Sequence, residues 1–219
     1  MKVFIMGCHR SGTSLLTGLL KRCGLHVGTN LLMHAKDNPK GHYEEKRFLN
    51  LNNQLLIRNG GSWHSPPHSI SYQGLRKPMI EFLGRDEWKK EFVGWKDPRI
   101  CLTFPLWHEL IQPEKVKIVY IIRPLEEIAQ SLVHRDGRTY GMTYRKALEL
   151  GRFYRRHAHN QLHRKGVQYQ VTCFASFFEP TWKNELESIC EFIGLKLPKN
   201  LRRLEQFITP KLRHFKGAS

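Results

Sequence analysis

The stretch VFIMGCHRSGTSLLTGLL, residues 3–20, decides the fold. It opens as an apolar strand (VFIM), passes through a turn containing Gly7 and Gly12, and continues with Leu15, Leu16, Leu19 and Leu20 at helical spacing. Gly7 to Ser14 fit the pattern G-x-x-x-x-G-x-S of a phosphate-cradling loop. Small residues let backbone N–H groups converge on an anion, and the N-terminus of the following helix adds its partial positive charge. A Gly/Ser turn that merely starts a helix is the plain alternative; the strand before it and the leucines after it favour the loop. Loops that clamp a nucleoside triphosphate carry Lys just before the final Ser or Thr. Thr13 stands in that place here, and the loop's cation is Arg10. Such a loop is expected to hold a phosphate while lacking the usual triphosphate clamp.

Working outward, further apolar runs end near Trp95 (EFVGW), at Ile122 (KIVYII) and near Cys173 (VQYQVTC), each followed by a turn or helix signal. Short apolar strands alternating with helices predict an α/β fold, a three-layer α/β/α arrangement around a central parallel sheet with right-handed crossovers. The length of 219 residues, with no internal repeat or low-complexity linker, predicts a single domain spanning 1–219. Helices are predicted over 13–23, 44–58, 72–90, 101–111, 125–134, 143–165 and 181–193, with a short one around 200–208. The first should stop at Gly24. Two stretches rich in Gly, Pro, His and Asn, 30–42 and 59–71, read as binding loops that would wall an acceptor site.

The composition adds a strong charge. Lys and Arg number 36 against 19 Asp and Glu, a net charge of +17, which favours anionic partners: nucleotides, sulfated or phosphorylated substrates, nucleic acid or a membrane face. The five cysteines are scattered without a CxxC pair, a pattern of reduced thiols in a cytoplasm. Cys8 lies in the loop near a helix N-terminus, where a lowered pKa is one reading and a tolerated small residue the other. With the first strand starting just after Met1, no signal peptide is expected, and no apolar run reaches membrane-spanning length.

A second anion signal lies in KIVYIIRPLEEIAQSL, residues 117–132: a buried-type strand, Arg123-Pro124, then an amphipathic helix. Pro124 suits a helix start, with Glu126 and Glu127 in the first turn. A nucleoside triphosphatase often ends the corresponding strand in Asp to hold Mg²⁺; this one ends in Arg123. Ser131 lies two helical turns on and could share an anion with that Arg. The alternative is a surface Arg paired with Glu126 or Glu127.

Taken together, the two motifs resemble those of the sulfotransferases that use 3′-phosphoadenosine-5′-phosphosulfate (PAPS). In that family a loop after the first strand holds the 5′-phosphosulfate, and an Arg and a Ser eight residues apart hold the 3′-phosphate. The matching residues here are Arg10, Ser11, Gly12, Thr13 and Ser14 for the first and Arg123 with Ser131 for the second. GHYEEKRFLNLNNQLL, GWKDPRICLTFPLW and VTCFASFFEPTWKNELESICEFIGL resemble further family segments, in the family's order. Three departures stand out: Arg10 replaces the usual Lys, Phe174 stands where many relatives have Tyr, and only Phe215-Lys216-Gly217 hint at the long C-terminal loop of the hormone-type enzymes.

The resemblance implies in-line transfer of a sulfuryl group from PAPS to a hydroxyl or amine of a carbohydrate or small metabolite, with adenosine 3′,5′-bisphosphate (PAP) as product. No metal is expected. Arg10, the loop amides, Thr13 and Ser14 would stabilise the leaving group. Glu44 is the predicted general base, with His42 and Glu45 as alternatives, and a helix-start carboxylate as the structural reading of Glu44. Lys96 would contact the transferring group, while Asp97 and Arg99 would fix their loop by ion pairing. His159 and His163 stand four apart on one predicted helix, a possible metal pair. The segment 134–165 carries nine Lys and Arg against two acids and reads better as a solvated basic face. Two rivals remain: a P-loop kinase, for which only Asp97 could serve Mg²⁺, and a non-catalytic polyanion binder, with nucleic acid the less favoured partner.

Overall fold

A computed structural model describes residues 1–32, 40–111 and 115–209. Its centre is a four-stranded, wholly parallel sheet of β1 (Lys2–Met6), β2 (Val93–Lys96), β3 (Val116–Ile122) and β4 (Gln168–Cys173), in the order β2-β1-β3-β4. The strand ends read from sequence at Met6 and Ile122 are those observed, and those read near Trp95 and Cys173 fall at Lys96 and Cys173.

β1 shows why the sheet is covered on both sides. Successive strand residues point to opposite faces. Phe4 and Met6 enter one core with Phe48, Trp95, Phe104 and Trp107, while Val3 and Ile5 enter the other with Leu16, Leu19, Ile189 and Ile193. The first core is closed by α2 (Lys46–Arg58), α3 (Arg76–Leu83), α4 (Ile100–Glu109), α5 (Leu125–Tyr140) and α6 (Tyr144–Leu162). The second is closed by α1 (Thr13–Arg22), α7 (Trp182–Ile193) and the short α8 (Arg202–Glu205). Three layers result, as the alternation of strands and helices predicts.

Several boundaries differ from expectation. The helix predicted over 72–90 is two pieces, α3 and a 3-10 turn at Asp86–Lys89. Gln73 and Gly74 both take positive φ (44° and 79°), so no helix can begin at Tyr72, and Gly84 caps α3. α5 runs past His134 to Tyr140 and stops where Gly141 turns left-handed. α1 ends at Arg22 with Cys23 as its cap, and Gly24 follows at φ 105°. Phe215-Lys216-Gly217 and much of the stretch 30–42 lie outside the described residues. Among the described residues no helix is long and apolar enough to cross a membrane.

Candidate active site

The C-terminal ends of β1, β2 and β3 converge on one cavity with about 780 Å³ of empty space, part of it continuous with solvent. This edge is where open parallel sheets bind ligands. His9, Arg10, Thr13 and Ser14 line it from the first loop, Glu44 and Lys96 from one side, and Arg123 and Phe174 from the other.

The loop's geometry depends on its glycines. A Cβ at Gly7 would sit 2.5 Å from Ser11 Oγ and 2.9 Å from the Ile121 carbonyl oxygen. At Gly12, where φ is +99°, a Cβ would meet the Phe174 ring at 2.2 Å. Arg10 also has positive φ, 67°. The chain thus winds closely round the start of α1, where Gly12 is the cap and no side chain caps the first helical N–H groups. Ser11 Oγ is buried with no hydrogen-bond partner among the described residues. Such a concavity of N–H groups suits an anion.

The two sequence motifs meet here. Arg10 Nε donates to Ser131 Oγ at 2.8 Å, and Arg123 Nη1 donates to the Arg10 carbonyl oxygen at 3.1 Å. Arg123 also pairs through Nε with Glu127 Oε2 at 2.9 Å, so the ion pair offered as the alternative is present. It does not take Arg123 to the surface: the residue is 5% exposed and its guanidinium lies 4.6 Å over the Phe174 ring. Ser131 is held by Arg10 rather than facing Arg123 alone. Phe174, noted in the sequence only as a departure, covers Gly12 and supports Arg123.

The opposite wall carries a buried ion pair. Lys96 Nζ lies 2.5 Å from Glu44 Oε1 and 2.9 Å from the His42 carbonyl oxygen. Glu44 does not open the helix. That part falls to Glu45, the cap of α2, whose Oε2 accepts from the Phe48 N–H at 2.7 Å. The structural reading of Glu44 therefore belongs to its neighbour, and Glu44 turns into the cavity. Both Asp97 oxygens are taken up by protein donors: Oδ1 accepts from Arg99 N at 2.9 Å and Nη1 at 3.0 Å, and Oδ2 accepts from Asn52 at 3.0 Å. Asp97 and Arg99 fix their turn, as expected. Burial raises the Asp97 carboxyl above its ordinary value, against the opposing pull of Arg99.

His9 was not singled out by sequence reasoning, although it lies inside the loop. It is 8% exposed, and its ring packs on Trp63 at 4.7 Å and edge-on to Tyr154 at 5.2 Å. Burial, then Arg99, Arg135, Lys96 and Arg10, hold its imidazole well below the ordinary histidine range, so it is neutral. Cys8 is pushed up to about 12 by burial, the reverse of an activated thiol. His159 and His163 lie with their Nε2 atoms 3.3 Å apart, and no third ligand type gathers on them among the described residues.

Comparison with known proteins bears on the fold. No sequence-family model matches the chain, and no match to a curated protein is found. Among solved structures it is similar to the sulfotransferase domain from the curacin biosynthetic pathway, with a TM-score of 0.60 and 16% identity over 96% of this chain and 78% of that one. The chain has a sulfotransferase fold.

Proposed function

We propose that the chain, acting as one domain, is a sulfotransferase that moves a sulfuryl group from PAPS to a hydroxyl or amine of a carbohydrate or small-metabolite acceptor. The observation that carries this reading is the joining of the two motifs: Arg10 bonds to Ser131 and Arg123 to Arg10, beside a buried Glu44–Lys96 pair. A kinase would need a carboxylate for Mg²⁺, and both Asp97 oxygens already accept from protein donors.

The fit to a nucleotide with two separate phosphate ends rests on the loop. A Cβ at Gly7 would collide with Ser11 Oγ and one at Gly12 with the Phe174 ring, so this tight winding needs both glycines, and Ser11 Oγ has no hydrogen-bond partner among the described residues. Ser11, Gly12, Thr13 and Ser14 would hold the 5′ end with Arg10, and Arg123 with Ser131 the 3′-phosphate. Bound there, the donor supplies an activated sulfuryl group. Glu44 accepts the proton of the attacking hydroxyl or amine. On doing so it loses its charge, and the Lys96 ammonium 2.5 Å away is left facing the charge that develops on the transferring group. The barrier is lowered by positioning and fixed charge, with the loop amides and Arg10 stabilising the leaving phosphate.

Calorimetric titration with PAP, ATP and 5′-AMP, with and without Mg²⁺, tests the reading. Metal-independent binding that demands the 3′-phosphate supports it. Preference for ATP with Mg²⁺ would make the protein a kinase, and polyanion binding with no nucleotide affinity would make it a binding module.

A further inference from the structure

His9 is a buried polar group of the cavity that the scheme above leaves unused, beside Lys40, His42 and Arg135. Its position is fixed with unusual care. Trp63 and Tyr154 grip the ring, and Tyr154 Oη donates to the Trp63 carbonyl oxygen at 2.9 Å, locking the two grips to each other. The segment that carries Trp63 is closed at its base by Asn59, whose Nδ2 donates to the Ser71 carbonyl oxygen at 3.0 Å and whose Oδ1 accepts from Ser71 N at 3.1 Å. The 59–71 loop, closed by Asn59 and Ser71, thus packs Trp63 against the imidazole.

The imidazole is left chemically incomplete. Nε2 is buried without a hydrogen-bond partner among the described residues, and a buried polar atom left unpaired costs about 1–3 kcal/mol. The charges that face it are Arg10 from its own loop, Lys96 from the end of β2, Arg99 from the turn before α4, and Arg135 from α5. These cations are themselves tied to Ser131, Glu44, Asp97 and Asp136. A further positive charge is disfavoured there, whereas a neutral imidazole still carries one N–H donor. The neighbouring Arg10 takes a left-handed backbone and sends its side chain to Ser131, toward the 3′-phosphate motif. His9 lines the same cavity as the Glu44–Lys96 pair, where proton and charge would move.

Resting on the proposed donor reading, we infer that His9 is a catalytic residue that contacts the transferring sulfuryl group, donating its N–H to a sulfuryl oxygen. A sulfuryl group spreads one negative charge over three weakly basic oxygens, so a neutral donor can bond to it without proton transfer. Nothing is gained or lost by the ring: the acceptor oxygen or nitrogen bonds to sulfur, the sulfur–oxygen bond to the 5′-phosphate breaks with its electron pair on the phosphate, and the acceptor's proton goes to Glu44.

The test compares two ligands that differ only in that group. Calorimetry with PAPS in the absence of acceptor, and with PAP, is run on the wild type, His9→Phe and His9→Asn. The inference expects His9→Phe to weaken PAPS about tenfold or more, to leave PAP within about twofold, and to be partly rescued in His9→Asn, which keeps an N–H donor. Equal effects on both ligands, or none on either, overturn it. ¹⁵N spectra of histidine-labelled wild type give an independent reading free of folding defects. The His9 ring nitrogens should move between the PAP and PAPS complexes, and identical shifts overturn the inference. Failure of the wild type to bind PAP at all would instead sink the donor reading on which it rests.

Discussion

Arg10 Nε and Ser131 Oγ, 121 residues apart in the chain, are joined by a 2.8 Å hydrogen bond. This contact ties the loop after β1 to the helix after β3, and Arg123 closes the triangle through the Arg10 carbonyl oxygen. Arg123→Ala should therefore cost two things. It removes a charge-assisted contact to the 3′-phosphate, an expected loss of about 10- to 100-fold in PAP affinity. It also removes a charged partner from the buried Glu127 carboxylate, an expected destabilisation of about 3–5 kcal/mol. The double variant Arg123→Ala/Glu127→Gln separates these, recovering stability in a thermal melt but not PAP affinity. Wild-type affinity in the double variant would remove Arg123 from the donor site.

The Glu44–Lys96 pair predicts a split between binding and turnover. Glu44→Gln keeps shape and an oxygen for Lys96, so PAP affinity should change little while turnover of PAPS falls about a hundredfold to ten-thousandfold. Lys96→Met leaves Glu44 buried without its cation, so it should both slow turnover and melt earlier. Full activity in Glu44→Gln would transfer the base to another group.

The architecture was legible because its signals are local. Strand ends at Met6, Lys96, Ile122 and Cys173 follow from apolar runs stopped by turns, and Arg10, Arg123 and Ser131 stand in fixed relation to those ends. Other features depend on contacts between distant segments. Glu44 and Glu45 are adjacent and chemically alike, and only the cap at Phe48 N decides which of them is free to face the cavity. Trp63 on His9 joins segments 54 residues apart, and Phe174 over Gly12 joins segments 162 residues apart. The helix predicted over 72–90 starts late because Gln73 and Gly74 take positive φ, and it breaks at Gly84, which caps α3; apolar periodicity registers neither.

Gly12 offers a test of the loop itself. Gly12→Ala places a methyl 2.2 Å from Phe174 at φ +99°. Overpacking and strain together should cost roughly 2–4 kcal/mol, lowering Tm by about 4–16 °C. The loop would have to shift to admit the methyl group, so PAP affinity should fall as well. A variant that melts and binds like the wild type would mean that Phe174 does not pack on the loop in solution.

His9 also predicts a pH dependence of stability. Its folded-state pKa lies well below the ordinary 6.5, mainly through burial. Between that value and 6.5 the unfolded chain holds the extra proton, so stability is full above about pH 6.5 and declines as the pH falls, with a limiting slope of about 1.4 kcal/mol per pH unit for this one group. His26 and His108 are lowered in the same direction and contribute to the wild-type curve, so the informative quantity is the difference between the wild type and His9→Asn. Urea unfolding at several pH values below neutrality should show the wild type losing stability faster than the variant. Parallel curves would mean that His9 titrates alike in the folded and unfolded states, and that burial and the surrounding cations do not hold it neutral.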